Sequence, residues 1–146
     1  MMIALCVLIL VTECGSWFQG TIRADAGAVD EVRGIGRVVA QTTADPIYGD
    51  TIQIEDVLIM DVGAPSFEMA MDSARKLLER RGWTTMDKLV TYVSMKSTRW
   101  GGTSLTIDPF QKLASYSGST QKRIAEKVHI EPTDQNKYIL VVVTRV

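Results

Sequence analysis

Three observations predict an α+β domain behind a separate N-terminal segment. The composition, 46% hydrophobic and 23% charged over 146 residues, is that of one ordinary globular domain. Residues 1–12 form an uninterrupted apolar run that stands apart from the rest. From Asp50 onward, β-branched segments alternate with helical-period segments in the order strand, helix, strand, strand, helix, strand. Over residues 51–146 that order is the ferredoxin-like βαββαβ pattern, an antiparallel sheet with both helices on one face.

The first strand is read from Ile52, Ile54 and the run Val57-Leu58-Ile59-Met60, ended by Gly63-Ala64-Pro65. Ser66 can cap the helix that follows, in which Phe67, Ala70, Met71, Ala74, Leu77 and Leu78 make one apolar face. Glu68 and Asp72 near its start, and Arg80 and Arg81 near its end, complement the helix dipole. Gly82 supplies a left-handed stop, and Trp83 is expected to contact Leu78. Residues 89–95 and 103–107, joined across Gly101-Gly102, read as a hairpin. Asp108-Pro109 signals a short helical turn through Ala114. A second helix after Ser117-Gly118-Ser119, running through Val128, would bury Ile124, Ala125 and Val128. The run Ile139-Leu140-Val141-Val142-Val143 closes the chain as an interior strand.

Residues 15–50 are glycine-rich and read as a tether or loosely packed extension. Helical spacing of Val29, Val32, Gly36, Val39 and Ala40 suggests a helix over 26–41, weakened by Gly34 and Gly36. In a related α+β sandwich, residues 33–41 would instead add an edge strand. Arg33-Gly34-Ile35-Gly36-Arg37 lacks the third glycine and the preceding strand of a dinucleotide loop.

The apolar leader is too short to span a hydrocarbon layer, which needs roughly 20 residues, and its length fits the core of a secretory signal. It ends in Val11-Thr12-Glu13-Cys14, followed by Gly15-Ser16. This resembles a bacterial lipoprotein signal with its lipobox, and the layout is similar to the small uncharacterised lipoproteins of Gram-positive bacteria, especially actinobacteria. The resemblance implies lipidation at Cys14, a cell-membrane location on the extracytoplasmic face, and removal of residues 1–13. Glu13 occupies a position that is normally small, and the leader carries no Lys or Arg. Two other readings of the segment remain: an uncleaved signal-anchor extended through Trp17 and Phe18, and a buried first strand of a cytosolic domain. Release as a secreted protein is the alternative location.

A net charge of −1 argues against bulk electrostatic capture of nucleic acid. Both cysteines, Cys6 and Cys14, lie at or before residue 14, so the body holds itself together by burial alone. The sole histidine, His129, is expected at the end of the second helix beside terminal carbonyls. No G-x-S-x-G elbow, H-E-x-x-H or paired C-x-x-C is present, and no metal or cofactor is expected. Glu55 and Asp56 are adjacent and would point to opposite sheet faces. Met60, Met69, Met71, Met86 and Met95 read as core filler or scattered surface.

One constellation stands out: Lys96-Ser97-Thr98-Arg99-Trp100-Gly101-Gly102, two cations and an indole at the expected hairpin tip. Lys96, Arg99 and Trp100 are therefore the candidate contact patch, for a glycan, lipid headgroup or protein ligand. The bland alternative is that Trp100 folds back over the sheet edge with Arg99 beside it. The expected function is an exported, membrane-tethered, non-catalytic binding or structural module at the cell surface, with a cell-wall or protein partner. The alternative is a small enzyme or intracellular regulator in which residues 1–12 are a strand.

Overall fold

The run at 139–143 occupies a strand with neighbours on both sides, which is where five consecutive apolar, mostly β-branched residues are best buried. The computed structural model describes residues 20–48 and 50–146. Its strands are β1 Gly20–Arg23, β2 Arg37–Ala44, β3 Ile47–Tyr48, β4 Thr51–Asp61, β5 Trp83–Lys88, β6 Val93–Ser97, β7 Thr103–Pro109 and β8 Tyr138–Arg145. Its helices are α1 Ala26–Arg33, α2 Phe67–Glu79 and α3 Gly118–Lys127, with 3-10 helices at Phe110–Ser115 and Gln135–Lys137. The sheet runs β1-β4-β8-β7-β6-β5, and β2 and β3 also pair with the long β4. All described pairings are antiparallel except β1 with β4.

Alternation along the strands divides the interior in two. Leu58, Met60, Met95, Leu105, Val141 and Val143 face α1 and α2, which contribute Ala28, Val32, Ala70, Ala74 and Leu78. Val57, Ile59, Leu140 and Val142 face the other way, under Ile124 of α3 and Leu113 of the 3-10 helix. The class is α+β, as expected. The ferredoxin-like arrangement is not confirmed, because α2 and α3 lie on opposite faces and β8 sits between β4 and β7.

Of the segment expected as a tether or loosely packed extension, residues 20–48 are part of the fold. Ala28, Val29 and Val32 of α1 are buried, and β2 pairs with seven positions of β4 with one register shift. The expected helix over 26–41 stops at Arg33, with Gly34 at its C-cap, and the chain then turns into β2. That is the edge strand of the alternative reading, displaced toward the C-terminus.

α2 conforms closely to its periodicity: Ser66 accepts from the Met69 amide at 3.4 Å, and the predicted apolar face is buried or half-buried. Gly82 has φ +91°, the left-handed conformation that turns the chain from α2 into β5. β5 was not expected. The strand read at 89–95 begins only at Val93, and residues 89–92 form a turn in which the Leu89 amide donates to the Tyr92 carbonyl at 2.9 Å. Asp108 lies on β7 opposite Leu140 and makes no cap bond to the 3-10 helix after Pro109. Ala125 is exposed rather than buried.

Candidate functional site

β6 carries Val93, Met95 and Ser97 toward the α1–α2 layer, which puts Lys96 on the other face of the sheet. Trp100, in the loop from β6 to β7, turns toward α1 and is half-buried. The expected patch is therefore divided, with Lys96 separated from Arg99 and Trp100 by the sheet itself. Trp100 takes the folded-back position.

What holds it there is Glu31 on α1. One carboxylate oxygen accepts from the Trp83 indole N–H at 2.9 Å and the other from the Trp100 indole N–H at 2.9 Å. Arg99 adds a guanidinium contact to the second oxygen at 3.4 Å. The Glu31 side chain is only 11% exposed, so this charge is compensated by three donors rather than by water. A Cβ on Gly27, one turn earlier in α1, would collide with the Trp100 ring, so the close seating of the indole requires glycine there.

The same junction is tied on its backbone side. Arg81 donates to the Glu31 carbonyl at 2.7 Å, which also accepts from the Gly34 amide, and to the Gly34 carbonyl at 3.0 Å, just past the end of α1. Thr98 donates to the Gly82 carbonyl through its amide at 3.0 Å and its hydroxyl at 2.5 Å. α1, the turn after α2, and the β6–β7 loop thus form one clamp.

Outside the clamp lies an open cleft of about 580 Å³, lined by Glu31, Arg80, Arg81, Gly82, Thr98 and Arg99. Three guanidinium groups face one carboxylate, which leaves two positive charges uncompensated. Among the described residues the Arg80 guanidinium has neither a hydrogen bond nor an ion pair, and Arg99 is 69% exposed. The sequence marked Arg99 as a contact residue, but Arg80 and Arg81 only as helix-dipole partners. Glu31 had no mark at all. The available signal was that two tryptophans near glycine turns need acceptors once buried.

A second cleft of about 310 Å³ lies between α1 and the sheet. There Arg23 binds Asp56 through two contacts, 2.7 and 3.3 Å, and Asp56 is only 1% exposed. Arg23, Arg33, Asp30 and Asp56 balance in charge around this space. Glu55 lines a separate cleft on the other side, as strand alternation requires, and burial raises its pKa. His129 stands two residues beyond the end of α3, exposed, with Nε2 3.2 Å from Glu131. It is not in the last helical turn.

Among the described residues, no group of three or more His, Cys, Asp or Glu is placed to hold a metal ion. Among them no helix is long and apolar enough to cross a membrane. Cys14, the expected lipidation site, and the whole leader lie outside the described residues. Compared with known proteins, the chain matches no family model, no curated protein and no solved structure.

Proposed function

We propose that this chain is an exported, membrane-tethered binding module, anchored through Cys14 at the extracytoplasmic face, that takes an anionic ligand in the Arg80–Arg81–Arg99 cleft. The observation that carries the reading is the uncompensated charge of that cleft on a braced scaffold. Arg81 is fixed by its bonds to two carbonyls, while Arg80, without a partner among the described residues, and Arg99, mostly exposed, are open to an anion. Guanidinium groups suit this work because their planar forks match the oxygens of carboxylates and phosphates. Lys96, on the opposite face, has no part in it. Tethering is supported by the apolar leader and its lipobox-like end.

The test has two arms. Fractionation of cells expressing the wild type and Cys14→Ala should place the first with membranes and release the second; a wild type found in the soluble fraction overturns the tether. Co-sedimentation of the full chain with isolated cell envelopes should fall sharply in an Arg80→Glu, Arg99→Glu double variant whose thermal unfolding stays cooperative. Undiminished binding by that variant overturns the cleft.

A further inference from the structure

We infer that the anion taken by the cleft is a phosphate group, and that it belongs to the headgroups of the membrane to which the chain is tethered. This inference rests on the binding-module reading of the same site. Two features carry it: the charge arrangement, and where the cleft lies relative to the start of the fold.

The registers define one end of the sheet. Arg145 pairs with Thr103, Lys96 with Ser104, and Trp83 with Ser97, so Arg145, Thr103, Ser97 and Trp83 form one row across β8, β7, β6 and β5. The residues of the cleft, Arg80, Arg81, Thr98 and Arg99, lie in the turns just beyond that row. Gly20, the first described residue, pairs with Thr51. In the β4–β8 register Asp56 is opposite Val143, so Thr51 also lies past the end of β8. Gln53 confirms the level, donating to the Arg145 carbonyl at 3.1 Å. At roughly 4.8 Å per strand, the four to five strand spacings between β1 and the β6 and β5 ends set Gly20 roughly 19–24 Å from the cleft across the sheet, at the same end of it. A membrane that holds the segment before Gly20 therefore faces the same end of the molecule as the three arginines.

The chemistry fits a phosphate. The two non-bridging oxygens of a phosphodiester can accept from Arg80 and Arg99, while Arg81, bonded to two carbonyls, adds positive charge to the same cleft. The negative surface of a phosphatidylglycerol-containing leaflet would also raise the local concentration of such groups at this end.

The full chain in neutral maltoside micelles is titrated with short-chain phosphatidylglycerol, short-chain phosphatidylcholine and inorganic phosphate. The readout is the arginine Nε–H resonances, assigned by Arg80→Lys and Arg99→Lys. The expected result is saturable movement of the Arg80 and Arg99 signals with phosphatidylglycerol, at least tenfold tighter than with phosphatidylcholine. Arg80→Ala and Arg99→Ala should each weaken binding about tenfold, a change worth about 1.4 kcal/mol. Movement with inorganic phosphate but not with phosphatidylglycerol overturns the membrane assignment. If neither probe moves the signals while envelope co-sedimentation still depends on Arg80 and Arg99, the phosphate inference fails and the binding-module reading survives. Indifference in both assays overturns both.

Discussion

The two turns that connect β6 to its neighbours are built in opposite ways. The β6–β7 loop carries charge and an indole, the composition of an exposed recognition tip, yet Trp100 is drawn into a clamp with Glu31, Trp83 and Arg99. The β5–β6 turn carries Leu89 and Val90, the composition of a buried strand, yet these are 55% and 78% exposed. Local chemistry points the wrong way in both cases. What decides each is whether a distant element offers a partner: α1 brings a carboxylate to the first turn, and nothing among the described residues covers the second.

The largest expected effect comes from removing that partner. Glu31→Ala leaves the indole N–H groups of buried Trp83 and half-buried Trp100 without an acceptor, each costing about 1–3 kcal/mol, so a loss of about 3 kcal/mol in urea unfolding is expected. Glu31→Gln keeps one accepting oxygen and should lose less. A loss below about 1 kcal/mol for the alanine variant would mean that water replaces the carboxylate and that the two turns do not differ in kind.

Gly27→Ala sharpens the same point because two effects compete. In an unobstructed helix the change gains up to about 1 kcal/mol. Here the new methyl collides with the Trp100 ring, and overpacking of this kind costs about 1–3 kcal/mol. Net destabilisation is expected in the wild-type background, and a neutral or stabilising effect once Trp100→Ala has emptied the space. A thermal-melt double-mutant cycle reads the coupling. Additive single effects would show that the ring does not rest on α1.

These contrasts explain how far the sequence could be read. α2 and β8 were legible because their signals are local: an i, i+3, i+4 face after a serine cap, and a β-branched run. The clamp joins residues 52 and 69 positions apart, and no window along the chain contains both partners. β5 was hidden because a register shift between Thr85 and Asp87 breaks its alternation, while apolar Leu89 and Val90 nearby imitate a strand start. The face chosen by α3 was not legible either. Its apolar stripe fits either side of a sheet buried on both, and it goes where Ala40, Val57 and Leu140 leave room. Of the candidate patch, Arg99 stands at the cleft, Trp100 braces it, and Lys96 lies across the sheet.

A smaller effect is expected at Asp108, on the sheet face away from the clamp. Burial raises its pKa, while the Thr106 hydroxyl and the Lys112 charge pull it back down. A carboxylate whose folded pKa lies above its unfolded value binds protons more readily in the fold, so its ionised form subtracts stability at neutral pH. That penalty disappears as pH falls through the folded pKa. Asp108→Asn, which forfeits no helix cap, should therefore raise Tm at pH 7 by less than the Gly27→Ala shift. The gain should shrink toward zero in acid. A gain that persists unchanged below the ordinary carboxylate range would assign it to packing instead.

The smallest effect is expected at the uncovered turn. Leu89→Ser and Val90→Ser remove apolar groups that already meet water, so each should change unfolding free energy by no more than about 0.5 kcal/mol. The turn's own hydrogen bond, from the Leu89 amide to the Tyr92 carbonyl, involves backbone only and survives both changes. Set beside Glu31→Ala, the pair tests the comparison from its other side: a polar residue in α1 should outweigh two aliphatic residues in the β5–β6 turn several-fold. Losses above about 1 kcal/mol at Leu89 or Val90 would show that the turn is covered in solution, by the chain's own remaining residues or by a second copy. Concentration dependence of the melt would then separate those two cases.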